Sequence, residues 1–203
     1  MTYIPAPKIE ESAAELWQRH SLAPGFDVEK LLDNLGLRLV WEPIDDEESG
    51  IILGQLIPGE KLVVLNEKHI EKLEHKQGRL RRFTVGHEIG HWLLHANLGR
   101  SGALALIENE RTWCRDGSHD PLERQAEMFS AALLMPRDTL GAALPDLAWH
   151  GWSWVFGLCD KFLVNTTPML IRLEGLGWMH RDEHDVPTAG PAPVPGQRTL
   201  FSS

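Results

Sequence analysis

His87, Glu88 and His91 stand as H-E-x-x-H within the stretch RRFTVGHEIGHWLLH, and His95 continues the row four residues on. This spacing constrains the fold more than any other feature, because residues four apart share one face only on an α-helix. On a helix the imidazoles of His87 and His91 reach a common ion, while Glu88, beside the first ligand, reaches a water on the ion's open position without ligating. Such an ion acidifies its water and polarises a carbonyl, and a carboxylate close by takes the proton and passes it to a leaving amine. The implied chemistry is hydrolysis of an amide bond with Glu88 as general base. His95 lies two turns from His87, about 12 Å along the axis, and reads as a hydrogen-bonded support. Gly86 and Gly90 each cost a helix about 1 kcal/mol relative to alanine, so a close approach by a neighbouring strand or ligand is expected there.

Two histidines need a third ligand. Glu108, Glu110, Cys114, Asp116, His119, Asp120, Glu123 and Glu127 all lie downstream. The segment PLERQAEMFSAALLMP reads as a helix from Pro121 to Pro136, and it places Glu123 and Glu127 four apart, one to bind the metal and the other to orient a ligand imidazole. Glu123 is the preferred ligand, with His119 or Cys114 as alternatives from the preceding segment and Cys114 as a redox-sensitive fourth ligand. A closed structural zinc site would want four protein ligands, usually with cysteines. The chain has only Cys114 and Cys159, in no C-x-x-C pair, so an open catalytic site holding one zinc ion, or another divalent metal, is the better fit.

The rest of the chain reads as α+β. PKIEESAAELWQRH and DVEKLLDNLG have helical spacing, LRLVWEPI, GIILGQLI and KLVVLNE read as three strands, and helix returns near Lys68, breaks near Gly78 and runs to about Ala96. NLGRSGALALIENERTWCRDGSHD has no clear period and reads as a long functional loop. Short helices follow, and from His184 the composition turns to Pro, Gly and Ala. The expected organisation is a peptidase-like domain over 1–145, a helical region over 146–182 and a disordered tail over 183–203. Trp149, Trp152 and Trp154 are expected to pack in the core, with a protein-docking surface as the reading for any exposed portion. With 42% hydrophobic residues, no apolar run long enough for a bilayer and no basic-then-apolar leader, the chain of 203 residues is expected to be cytoplasmic, without a membrane partner. A net charge of −9 argues against broad wrapping of nucleic acid.

LVVLNE, RRFTVGHEIGHWLLH, LERQAEMFSAALLMP and FLVNTTPMLIRLEGLGW together resemble the ImmA/IrrE family of cytosolic zinc metallopeptidases, over roughly 50–178. The resemblance implies a zincin-like fold in which the sheet packs on the HExxH helix and a second, Glu-bearing helix. It implies a gluzincin-like site of His87, His91 and Glu123 with Glu88 as base. It also implies a helix-turn-helix repressor as substrate, cut to relieve repression of stress or mobile-element genes. The second-helix pattern E-x-x-A-N-x-F-A departs here, with Glu127 in place of Asn and Ser130 in place of Ala. The family's helix-turn-helix-like unit matches CDKFLVNTTPMLIRLEGLGW, whose main basic residues are Lys161 and Arg172. With so few, domain packing or repressor recognition is preferred to direct DNA binding. An edge strand is expected to hold extended substrate, with His119, His150 or Arg111 as oxyanion donor. Gln197, Leu200 and Phe201 in the tail resemble the short peptide that docks bacterial proteins on the replication sliding clamp. The rival reading is a non-catalytic regulator that uses the same fold to bind a repressor or DNA.

Overall fold

The computed structural model describes residues 4–47, 50–95, 121–144 and 150–191, and the backbone of 104–108. Helix α1 (Ala6–His20) buries Ile9, Ala13 and Leu16, the row that its sequence spacing sets on one face. Helix α2 (Val28–Asn34) starts at Asp27, whose Oδ1 accepts from the backbone N–H groups of Glu29 at 2.9 Å and Lys30 at 3.2 Å. A cap of this kind stabilises a helix by about 1 kcal/mol.

The three expected strands form as β1 (Arg38–Glu42), β2 (Ile51–Ile57) and β3 (Leu62–Asn66). The sheet nevertheless has four strands, in the order β1-β3-β2-β4, because β4 (Leu104–Glu108) pairs antiparallel with β2. This corrects the reading of that segment as loop throughout. Its five residues, LALIE, sit in a long stretch with no clear period, and the edge they pair with lies some fifty residues earlier in the chain. β1 runs parallel to β3, and β2 runs antiparallel to it. The inner strand β3 is buried at all five positions, which is why LVVL is aliphatic without alternation. At its end the side chain of Asn66, fully buried, accepts from the N–H groups of Ile44 (3.0 Å) and Lys68 (3.1 Å) and donates to the carbonyls of Ile44 (3.0 Å) and Ile52 (2.7 Å). Asn66 thus fixes where the sheet stops and the next helix starts.

Helix α3 (Ile70–Leu94) is two helices joined at a kink over 75–78, where Lys76, Gln77 and Gly78 have positive φ. The expected break near Gly78 is present. The second half lies between the sheet and helix α4 (Pro121–Leu134). Both contacts depend on missing side chains. A Cβ on Gly54 of β2 would stand 2.8 Å from Thr84 Cγ2, one on Gly86 would stand 2.7 Å from Ser130 Oγ, and one on Gly90 would stand 3.1 Å from Ala126 Cα. The approach at Gly86 and Gly90 therefore comes from a helix, not from a strand or a ligand. Gly86 and Gly90 on α3 face Ala126 and Ser130 on α4, a pair of small residues four apart on each helix, and Ser130 Oγ donates to the Phe83 carbonyl at 2.9 Å.

The chain continues through α5 (Arg137–Gly141), α6 (Trp152–Phe162) and α7 (Thr166–Gly175), with Leu163 at φ +51° in the turn between the last two. Val155, Leu158, Phe162, Met169 and Leu173 of this pair belong to the same core as Ile9, Leu16 and Phe129. Arg172, one of the two main basic residues of the helix-turn-helix-like stretch, is buried, in line with the preference for packing over DNA contact. Its Nε donates to the Met135 carbonyl at 3.0 Å, and its two terminal nitrogens pair with both oxygens of Glu10. Residues 183–191, expected to open a disordered tail, complete a hairpin of β5 (Met179–Arg181) and β6 (Pro187–Ala189). The pairing needs only backbone groups, so Pro- and Gly-rich composition did not reveal it. The clamp-like Gln197, Leu200 and Phe201 lie outside the described residues, as does Trp149. Trp152 stacks on Phe156 with centroids 5.9 Å apart, and Trp154 is 44% exposed, so α6 turns aromatic rings outward where core packing was expected. No helix among the described residues is long and apolar enough to cross a membrane.

Candidate metal centre

His87 and His91 lie one turn apart on α3, and Glu123 reaches them from the first turn of α4. The positive end of a helix dipole favours a carboxylate at that position. His87 Nε2 is 3.0 Å from Glu123 Oε2, His91 Nε2 is 3.3 Å from Glu123 Oε1, and the two Nε2 atoms are 2.9 Å apart. Two donors bound tetrahedrally at about 2.0–2.1 Å from a zinc ion stand roughly 3.3 Å from each other, close to this triangle. The three side chains form a group positioned to hold a metal ion. Both histidines are fully buried, whereas the Glu123 side chain is 27% exposed, so the centre opens to solvent on the α4 side.

The electrostatics suit a cation. Burial pushes His87 down to about 4, against the opposing pull of its contact with Glu123, so its lone pair is available at neutral pH. Burial would raise Glu123, but the hydrogen bonds from His87 and His91 and their charge outweigh it and bring the carboxyl down to about 2. Glu88 is fully buried, and neither of its oxygens has a hydrogen-bond partner among the described residues. Burial, with the Glu123 charge added, raises its carboxyl well above the usual range. An unpartnered buried carboxylate is costly, and a cation with its water beside it removes that cost. The donor set, the spacing and the orphaned Glu88 all fit a bound metal.

Glu127 does not join the group. It lies one turn further along α4, half-buried, and burial with the charge of Glu123 raises its carboxyl to about 7. Between the two glutamates the structure brings Glu123 to the histidines. His95 is buried, and its Nδ1 lies 3.0 Å from His91 Nδ1, on the side of that ring away from the metal group. It is a support, as its position two turns from His87 implied. His150 is tied to the C-terminal hairpin by a bridge to Thr188, and its largely exposed side chain lies 3.5 Å from Asp182. Arg111, His119, Cys114, Glu110, Asp116 and Asp120 lie outside the described residues. Glu108 ends β4, where the backbone alone is described.

Sequence reasoning passed over Gln125, which is buried and receives His95 at 3.3 Å, and the arginines just before the motif. Arg82 donates from Nε to the Leu163 carbonyl at 3.3 Å and from Nη1 to that of Phe26, and Arg79 donates to the Val164 carbonyl at 3.2 Å and to Asp160. They pin the α6–α7 turn to the helix that carries His87 and His91. Burial lowers Arg82 to about 10, which leaves it charged at neutral pH. The run RLRR was a visible signal, since cations seldom enter an apolar helical stripe without partners.

The sequence pattern of the family described as IrrE N-terminal-like domain, Peptidase M78, matches residues 59–166. That span runs from the turn before β3 to the start of α7 and takes in His87, Glu88, His91 and Glu123. No curated protein matches the chain. The match covers more than half of the sequence and includes the whole of the His87, His91 and Glu123 group, and the chain belongs to the M78 family of metallopeptidases.

Proposed function

We propose that the protein is a zinc-dependent endopeptidase that cuts a peptide bond in a regulatory protein, a helix-turn-helix repressor, and so relieves repression in a stress or mobile-element response in the cytoplasm. The observation that carries the reading is the convergence of His87, His91 and Glu123 beside the buried, unpartnered carboxylate of Glu88. His87, His91 and Glu123 would hold the zinc, which when bound supplies Lewis acidity to the scissile carbonyl and the attacking water. Glu88 takes the proton from that water and delivers it to the leaving amine. Its raised proton affinity suits the second half of that task, and a cation close by favours the charged form needed for the first. Glu123 stays anionic, and its partly open side leaves a path for substrate. The extended chain would lie along the outer edge of β4, which among the described residues has a neighbour on one side only.

Two observations favour a protein over DNA as the partner of α6 and α7. Arg172 is engaged by Glu10, and Trp154 and Phe156 are exposed at 44% and 50%. Aromatic side chains of this kind anchor protein interfaces. The test is to incubate zinc-loaded protein with a helix-turn-helix repressor from the same genomic neighbourhood, alongside Glu88→Gln. A discrete pair of fragments is expected with the wild type alone. Cleavage that persists unchanged in Glu88→Gln would overturn the mechanism, and binding of the repressor and of zinc without cleavage would favour the non-catalytic regulator.

A further inference from the structure

His91 is the joint between two different environments. Its Nε2 faces His87 Nε2 at 2.9 Å and Glu123 Oε1 at 3.3 Å, while Nδ1, on the opposite edge of the ring, lies 3.0 Å from His95 Nδ1. His95 Nε2 in turn lies 3.3 Å from the side-chain carbonyl of Gln125 on α4. His91, His95 and Gln125 are exposed by 0%, 1% and 3%, so the chain is closed to water. A neutral imidazole that offers the lone pair of Nε2 to an ion carries its proton on Nδ1. That N–H points at His95 Nδ1, which must accept it. A neutral ring accepting at Nδ1 carries its own proton on Nε2, where the Gln125 carbonyl accepts. The end of the chain fixes its direction, because a carbonyl oxygen can only accept.

We propose that His95 and Gln125 are positioning residues for the metal centre, holding His91 as the tautomer whose Nε2 lone pair faces the ion site. The proposal rests on the reading of His87, His91 and Glu123 as metal ligands. Without the acceptor at His95, the Nδ1–H of His91 would be buried and unpaired, and the ring would favour the other tautomer, which cannot ligate through Nε2. His87 lacks this support among the described residues, since its Nδ1 is buried without a partner. The two ligands are therefore unequal, with His91 set before the metal arrives.

The experiment is zinc affinity by chelator competition near neutral pH for the full chain, with His95→Phe, His95→Asn and Gln125→Met. Phe keeps the ring and removes the acceptor, whereas Asn gives up packing but places its carbonyl near the position of Nδ1. Affinity should fall about 10- to 100-fold in His95→Phe, fall less in Gln125→Met, and stay close to wild type in His95→Asn. Affinity kept in Phe and lost in Asn would make His95 a packing residue and overturn the proposal. Long-range proton–nitrogen NMR of the wild type gives an independent reading, with the proton expected on Nδ1 of His91 and Nε2 of His95. A proton on His95 Nδ1 would overturn the proposal whatever the variants do. Failure of the wild type to bind zinc would overturn the metal centre itself, and the relay with it.

Discussion

At the α3–α4 crossing two helices meet through glycine, alanine and serine, and the polar groups buried beside that contact include a carboxylate and an imidazole nitrogen with no partner among the described residues. At the α6–α7 pair the helices meet the core through Val155, Leu158, Phe162, Met169 and Leu173, and the one buried charge, Arg172, has partners on every side that it faces. Both regions share one core, so burial alone does not separate them. Satisfaction does. A buried polar group with all its bonds made, like Arg172 or Asn66, holds elements together. A buried carboxylate with neither oxygen bonded, like Glu88, is retained at a greater cost to stability than the single open nitrogens of Arg79 and Arg82, whose other donors are bonded, and is the kind of group that an additional species can complete.

The contrast can be broken most sharply at Glu88. Glu88→Gln is expected to reduce peptide cleavage by about 10²- to 10⁴-fold, while the metal-free protein becomes more stable at neutral pH. The sign follows from its raised carboxyl. The folded chain holds the proton above the pH at which the unfolded chain releases it, so stability falls as pH rises past the ordinary carboxyl range, and an amide escapes that loss. Turnover and thermal unfolding on the same preparation check both halves. Arg172→Ala should do the reverse, costing stability and sparing zinc binding. Breaking a fully buried pair costs about 3–5 kcal/mol, but Glu10 is 37% exposed and can be rehydrated, so about 1–3 kcal/mol is expected by denaturant unfolding.

A smaller effect is expected at the helix crossing. Gly86→Ala gains helix propensity but drives its Cβ against Ser130 Oγ, for a net loss of order 1 kcal/mol. Adding Ser130→Ala removes the nearest atom and should recover most of that loss. A double variant no more stable than the single one would mean that the backbone, not the hydroxyl, sets the spacing. The mildest change concerns Glu127, raised to about 7 by burial and by Glu123. In metal-free protein Glu127→Gln should match the wild type below about pH 4.5 and gain on it as pH rises towards 7, because the raised carboxyl withdraws stability over that window. Unfolding free energies across pH measure the margin.

Much of this contrast was legible in the sequence, and the parts that were not have physical causes. His87, Glu88 and His91 could be placed because helical periodicity fixes a side chain's direction from its neighbours in sequence, and the same periodicity set Glu123 and Glu127 on one face as the pair to supply a third ligand. The kink near Gly78 and the limits of α4 followed from Gly and Pro in the same way. β4 and the β5–β6 hairpin were not read, since LALIE sits in a stretch with no clear period and the hairpin lies in Pro- and Gly-rich composition, whereas the equally short β1 and β3 are bounded by turn residues on both sides. The burial of Arg172 depended on Glu10, 162 residues away, and the fourfold bonding of Asn66 depended on two other segments, at Ile44 and Ile52, besides its neighbour Lys68. Gly86 and Gly90 announced a close contact but not its partner, although Ala126 and Ser130 at the matching interval were the available clue. The departure of Glu127 from the family's asparagine left the choice of third ligand open in the sequence, and the structure sets Glu123 3.0 Å from His87 and 3.3 Å from His91.

The most direct test of the metal centre is the zinc content of the purified protein and of two paired variants, Glu123→Ala and Glu127→Ala, measured by elemental analysis after dialysis. One zinc per chain is expected in the wild type and in Glu127→Ala, with zinc lost from Glu123→Ala. Full zinc in Glu123→Ala, or loss from Glu127→Ala instead, would contradict the assignment of His87, His91 and Glu123 as the group that holds the ion.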